Sequence, residues 1–221
     1  TITDWDAYKK SLMELLGQES KLTRKLHDTA RLHPQRVVFA EGGHPTMMKA
    51  AVQAKTEGIC QPILLGNPDR LNRLAQRLKL DLSDIEIVDM RADQEQGRRA
   101  TYAKHLAKKR ARQGYNFEEA YDKMYERNYF GMMMVETGEA DAFITGLYTK
   151  YSNTIKVAKE VVGIRPEYKT FATMHILNTK KGTFYIADTL INRHPDENVL
   201  MDVAKLSAHT VQFFNEEPHI A

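Results

Sequence analysis

The chain is poor in cysteine, in long apolar runs and in net charge. Cys60 is the only cysteine among 221 residues. An internal disulfide framework is therefore excluded, and a reducing, cytoplasmic setting is expected. No stretch approaches the roughly 18 apolar residues of a membrane-spanning helix, so no membrane partner is expected. Thr1–Lys10 is polar and lacks the apolar h-region of a secretory signal. The formal net charge is only +3, without the strong bias of nucleic-acid binders, and no aromatic stacking platform accompanies the basic residues. Histidines stand at 27, 33, 44, 105, 175, 194, 209 and 219; no pair has zinc-type spacing, and no metal site is expected. There is no nucleophile elbow, no third glycine to turn Gly42–Gly43 into a dinucleotide fingerprint, no internal repeat and no low-complexity linker.

What remains is an ordinary globular composition, 42% hydrophobic and 28% charged. The length suits one large domain or two small ones at roughly 100–200 residues each. Trp5, Tyr8, Leu12 and Leu15–Leu16 lie at helical spacing, predicting a helix over Asp4–Leu16. A second is predicted over Glu19–Leu32, stopped by Pro34. Strands and helices then alternate. Strands are predicted at Arg36–Ala40, Pro62–Leu65, Ile85–Asp89 and Ala142–Thr145. Helices are predicted over Thr46–Glu57, Asp69–Leu78, Gln94–Arg112, Phe117–Tyr125, Tyr129–Glu136 and Ser152–Val162. Lys169–His175 and Thr183–Ala187 read as strands joined by a turn at Lys180–Gly182, before a last helix over Asp196–Phe214. This alternation predicts an α/β fold with a mainly parallel sheet and helices on both faces. Ligands bind such sheets beyond the carboxyl ends of the strands. The informative residues are then Glu41–His44, Gly66–Asn67, Met90–Arg91 and Gly146–Thr149.

Each candidate also has a plainer reading. Gly42–Gly43 after a strand lets backbone N–H groups approach an anion, or simply makes a tight turn. His44 reads as a turn residue. Thr145, Gly146, Thr149 and Ser152 suit a phosphate or a carbonyl oxygen, or Ser152 merely caps a helix. Arg98, Arg99, Lys104, Lys108, Lys109, Arg110 and Arg112 read as a solvated helix face. Met132–Met134 with Tyr129 and Phe130 reads as core or as a subunit interface.

Several ordered motifs carry a resemblance. Arg110–Ala111–Arg112–Gln113–Gly114 is followed by a helix with Glu119–Ala120, then by Asn128–Tyr129–Phe130–Gly131–Met132. The stretch Gly138–Glu139–Ala140–Asp141–Ala142–Phe143–Ile144–Thr145–Gly146 comes next. Together they resemble the phosphate acetyl/butyryl transferase family, as does Thr183–Asn192 with Pro195. Asp6–Lys9 and Ala30–Val38 look like the segment joining the catalytic half of large bacterial NADP-dependent malic enzymes to their transferase-like half.

The resemblance implies a phosphotransacetylase/isocitrate-dehydrogenase-like fold of two subdomains with a cleft. Residues 1–34 would be a helical lead-in, 35–146 the first subdomain and 147–221 the second. The second is expected to be incomplete, because His219–Ile220–Ala221 reads as the start of a strand. The implied function is regulatory binding of acetyl-CoA or a related acyl-CoA within a homo-oligomer. NADP, Mg²⁺ or Mn²⁺ and the oxidative decarboxylation of malate to pyruvate belong to a catalytic half upstream. Arg110 matches the family's CoA-contacting basic position, with Lys109 and Arg112 as neighbours. Thr145, Gly146 and Thr149 match the segment that meets the thiol end, and Lys156 and Glu41 are further candidates for the ligand site. No catalytic residue is assigned. The family's serine-rich segment is expected beyond Ala221, Lys156 stands near its usual arginine, and its acidic loop reads Glu41–Gly42–Gly43–His44–Pro45. The alternatives are a phosphate acetyltransferase, making acetyl phosphate from acetyl-CoA and phosphate, and a structural oligomerisation module.

Overall fold

A computed structural model describes residues 21–179 and 182–221. The helix expected over Asp4–Leu16 and the Lys180–Lys181 turn lie outside the described residues. The chain divides into two compact units, residues 29–163 and residues 164–221 with the segment up to Asp28.

The elements follow the alternation in the sequence. Helix α1 (Lys21–Leu32) leads to β1 (Gln35–Phe39), α2 (Pro45–Thr56), β2 (Cys60–Leu65), α3 (Pro68–Leu78) and β3 (Glu86–Val88). Then come α4 (Gln96–Arg110), α5 (Phe117–Lys123), α6 (Arg127–Glu136), β4 (Ala142–Ile144) and α7 (Tyr151–Val161). The second unit holds β5 (Met174–Thr179), β6 (Gly182–Ala187) and α8 (Glu197–Phe213).

Strands β1 to β4 form one parallel sheet in the order β3-β2-β1-β4. Alternate residues point to opposite faces, and both faces are covered. Val37, Phe39 and Leu64 pack with Met47, Met48, Ala51, Leu71 and Leu74 from α2 and α3. Val38, Ile63, Leu65 and Val88 pack on the other side with Tyr102, Leu106, Met124, Phe130, Val157 and Val161. Such side chains each contribute about 1.5–3 kcal/mol when fully buried. Because Val157 and Val161 belong to this core, α7 packs with the first unit, and the chain passes into the second unit after Gly163, whereas the sequence reading places the subdomain boundary at Gly146. Gly131 lets α6 press on the sheet: a Cβ there would stand 2.4 Å from Cε2 of Phe143.

One reading is narrowed to its core alternative, and another changes. Met132, Met133 and Met134 are 6%, 0% and 1% exposed, and Tyr129 and Phe130 are buried beside them. The run is interior core, so it offers no adhesive face for an oligomerisation module. The basic stretch is not a uniformly solvated face either. Arg99 is 2% exposed. Its guanidinium donates to the carbonyls of Met90 (2.7 Å) and Ala92 (2.8 Å) and lies 4.6 Å from the Tyr125 ring centre.

In the second unit, β5 and β6 form an antiparallel hairpin. Its first strand starts at Met174, whereas the sequence places it at Lys169–His175. The backbone N–H groups of Lys169 and Thr173 donate instead to the side chains of Asp202 and Asp188, which holds that stretch in a loop. Among the described residues, no helix is long and apolar enough to cross a membrane.

Candidate functional site

The order β3-β2-β1-β4 sends successive connections to opposite sides of β1, which opens a crevice at the carboxyl ends of the strands. A groove of about 1030 Å³ lies there. It is lined by residues that follow each strand, among them Ala40–Glu41, Gly66–Asn67, Asp89–Arg91 and Tyr148–Thr149. The strand-end rule thus locates the groove from sequence.

Glu41 organises this edge. Ala40 N–H continues the ladder by donating to the Ile144 carbonyl at 3.0 Å, which brings Glu41 opposite the loop after β4. The Glu41 side chain is buried at 1% exposure. Its carboxylate accepts N–H from Gly146 (3.0 Å), Leu147 (3.1 Å) and Tyr148 (2.9 Å). Burial pushes this carboxyl upward, but the three backbone donors and nearby Arg127 outweigh it and hold it below the usual range. Through these bonds Glu41 fixes the loop after β4. A neighbouring lock joins the next two strand ends. Asn67 caps α3 by accepting N–H from Arg70 at 3.2 Å and donates to Asp89 at 3.0 Å. Asp89 also accepts N–H from Arg91 at 3.1 Å.

The remaining polar lining is cationic. Arg70, Arg91, Lys123, Arg127 and Lys156 face three carboxylates, Glu41, Asp89 and Glu126, and two of those three are held by the bonds just described. The Lys123 ammonium lies 4.7 Å from the ring centre of Tyr129, and the Arg127 guanidinium 5.6 Å from that of Tyr148. Behind them, Tyr115 and Tyr129 both donate to Glu160 Oε2, from 2.6 Å in the case of Tyr115. Burial raises the Tyr129 hydroxyl pKa strongly, and the adjacent carboxylate adds to this. Helices α2, α3 and α7 begin at this edge, so their positive dipole ends add to the field. The groove is therefore predominantly cationic.

Of the sequence candidates, Thr149 and Lys156 line the groove with Glu41. Gly146 serves through its N–H to Glu41, and Thr145 donates to Asn128 Oδ1 at 3.3 Å. Arg110 and Lys109 lie elsewhere. Arg110 Nε donates to the Glu160 carbonyl at 2.6 Å, and its Nη2 to the Lys159 carbonyl. Lys109 donates to the Val162 carbonyl at 2.9 Å and to Glu136 at 2.5 Å. Both cap the C-terminus of α7, which at about 1.5 Å per residue is about 16 Å from the end that meets the groove. Arg112 is exposed on the 3-10 turn Ala111–Gln113. His44 caps α2 by accepting N–H from Thr46 at 3.1 Å, in line with its reading as a turn residue. Sequence reasoning missed Arg70, Lys123, Arg127, Asn128 and Asn153, which lie on helices where no strand-end signal marks them.

An open parallel α/β unit with a cationic groove at its switch point places the chain in the doubly wound class. The profile of the phosphate acetyl/butaryl transferase family matches residues 21–221, and the chain belongs to that family. It is 33% identical to an NADP-dependent malic enzyme of Salmonella typhimurium and 32% identical to one of Escherichia coli. Each match takes in all of this chain but 29% of the relative, so the chain spans under a third of the length of these curated relatives. It is 28% identical to a phosphate acetyltransferase of Thermoanaerobacterium thermosaccharolyticum over 90% of this chain and 62% of that protein. The EutD phosphotransacetylase of Staphylococcus aureus shares the fold at a TM-score of 0.79 and 25% identity, covering 89% of this chain and 58% of that one.

Proposed function

We propose that this chain is the acyl-CoA-binding, regulatory phosphotransacetylase-like part of an NADP-dependent malic enzyme. One observation carries the assignment. The family profile begins at residue 21, whereas the malic enzymes match the whole chain, the segment ahead of it included. Malate oxidation, NADP and the divalent metal then belong to a catalytic part upstream, and the working protein is a homo-oligomer in the cytoplasm. The cationic groove suits coenzyme A, whose pyrophosphate and 3′-phosphate are anionic and are held well by guanidinium groups. Acetyl-CoA is the first candidate. As a regulator it must bind two states of the enzyme with affinities that differ by about 1–3 kcal/mol.

The test is calorimetric titration of the chain with acetyl-CoA. Micromolar affinity, about −8 kcal/mol, is expected, and an absence of saturable heat rejects the reading. The phosphate acetyltransferases among the relatives favour a second reading, transfer of acetyl from CoA to phosphate. Phosphate-dependent release of CoA thiol from acetyl-CoA would establish it.

A further inference from the structure

A second cavity, about 680 Å³, lies beside the groove. It is lined by Gly43, Arg70, Arg73, Leu74, Gln76 and Arg77. Gly43 and Arg70 line both cavities, so the two adjoin at the start of α3.

The arginines follow helical geometry. Leu71, Leu74 and Ala75 turn into the core, which leaves positions 70, 73 and 77 in one row at i, i+3 and i+7. All three are exposed, as is Arg91 at the groove end of the row. Among the described residues, no carboxylate forms an ion pair with any of the four side chains. Like charges at i, i+3 and i, i+4 cost an isolated helix about 0.2–0.5 kcal/mol per pair. An anion lying along the row would remove that repulsion. Arg110 and Lys109, in contrast, spend their donors on the end of α7.

We propose that the α3 arginine row is the phosphate clamp of the acyl-CoA site. Arg91 and Arg70 hold the pyrophosphate at the groove mouth, and Arg73 and Arg77 hold the 3′-phosphate beyond it. The row from Arg70 to Arg77 spans about 10 Å at a rise of 1.5 Å per residue, room for two separate phosphate groups on one ligand. The assignment rests on the acyl-CoA reading of the groove and adds which residues select a ligand carrying the 3′-phosphate.

The test titrates the chain and an Arg73→Ala/Arg77→Ala variant with acetyl-CoA and with its 3′-dephospho form. Both substitutions are on an exposed helix face, and alanine is the better helix former, so folding is retained. The wild-type chain should prefer acetyl-CoA by about tenfold or more, the size of one lost charge-assisted contact. The variant should bind both ligands alike, at the wild-type affinity for the dephospho form. Equal affinity of wild type and variant for acetyl-CoA overturns the clamp but leaves the groove reading standing. If neither ligand binds the wild-type chain, the acyl-CoA reading fails and the clamp fails with it.

Discussion

The Glu41 carboxylate accepts the Tyr148 backbone N–H at 2.9 Å, joining the end of β1 to the loop after β4. Gly146 and Leu147 donate to the same carboxylate. The loop carrying Tyr148 and Thr149 into the groove is therefore shaped by a buried anion. Glu41→Gln replaces one acceptor oxygen by an N–H₂ group facing donors. It should cost about 1–3 kcal/mol in urea unfolding at neutral pH. An unchanged midpoint would mean that the loop holds itself.

The same carboxyl sets a pH dependence. Its folded-state pKa lies below the ordinary carboxylate value, so the folded state favours the ionised form. That stabilisation is complete above the ordinary value and is lost as pH falls through the depressed folded value. The gap in stability between wild type and Glu41→Gln should therefore be full at pH 7 and narrow on acidification below about pH 4.3. A gap that widens in acid would reverse the assignment.

Arg110→Ala separates two roles for one residue. The motif likeness places Arg110 against coenzyme A, whereas its guanidinium bonds the carbonyls of Lys159 and Glu160. Loss of a cation bonded at a helix C-terminus should lower stability by about 1–2 kcal/mol. Acetyl-CoA affinity at the groove should change by less than about twofold, well under the tenfold that 1.4 kcal/mol represents. A large loss of affinity with unaltered stability would restore the motif assignment.

The strands and helices of the first unit were legible because periodicity and turn residues act locally. Arg36–Ala40 is apolar because both faces of β1 are covered, and Gly66–Asn67–Pro68 marks an end that the structure also shows. The groove was legible only in part. Strand ends pointed to Gly66, Asn67, Arg91 and Thr149, but Lys123, Arg127 and Arg70 arrive on helices whose rotation depends on packing. At Arg110 a motif records residue identity and not which way a side chain turns, and here the guanidinium bonds the carbonyls of Lys159 and Glu160. The loop at Lys169–Thr173 was missed because its backbone bonds go to aspartates distant in sequence.

Gly131→Ala sets two terms of opposite sign against each other. Within α6, alanine should gain up to about 1 kcal/mol in helix propensity. The added methyl would sit 2.4 Å from Phe143 Cε2 and 3.1 Å from Leu65 Cδ1, so the helix or the ring must move. Overpacking typically costs about 1–3 kcal/mol, and contact with an aromatic ring belongs at its upper end. The net effect should be destabilising, lowering Tm by roughly 2–8 °C. An unchanged or higher Tm would show that α6 shifts at no cost.

Asp188 provides the matching test in the second unit. Its carboxylate accepts the Thr173 N–H at 3.0 Å, the Thr173 hydroxyl at 2.7 Å and the Asn192 N–H at 2.6 Å, and Asn192 Nδ2 lies 2.7 Å away. Burial works against the charge, but these donors hold the carboxyl far below its ordinary value. Neither Thr173 nor the 190–192 turn belongs to a helix or strand, so Asp188 replaces the backbone ladder that would otherwise order them. Asp188→Asn keeps the shape and loses the charge and one acceptor. It should cost about 1–3 kcal/mol, with faster amide exchange at Thr173 and Asn192 and none of that change at Glu41's partners Gly146 and Tyr148. Because the folded pKa is depressed, the wild-type advantage should be lost only in acid, below the ordinary aspartate pKa of about 3.9. Exchange that stays slow at Thr173 in the variant would mean that packing, not the carboxylate, orders this loop.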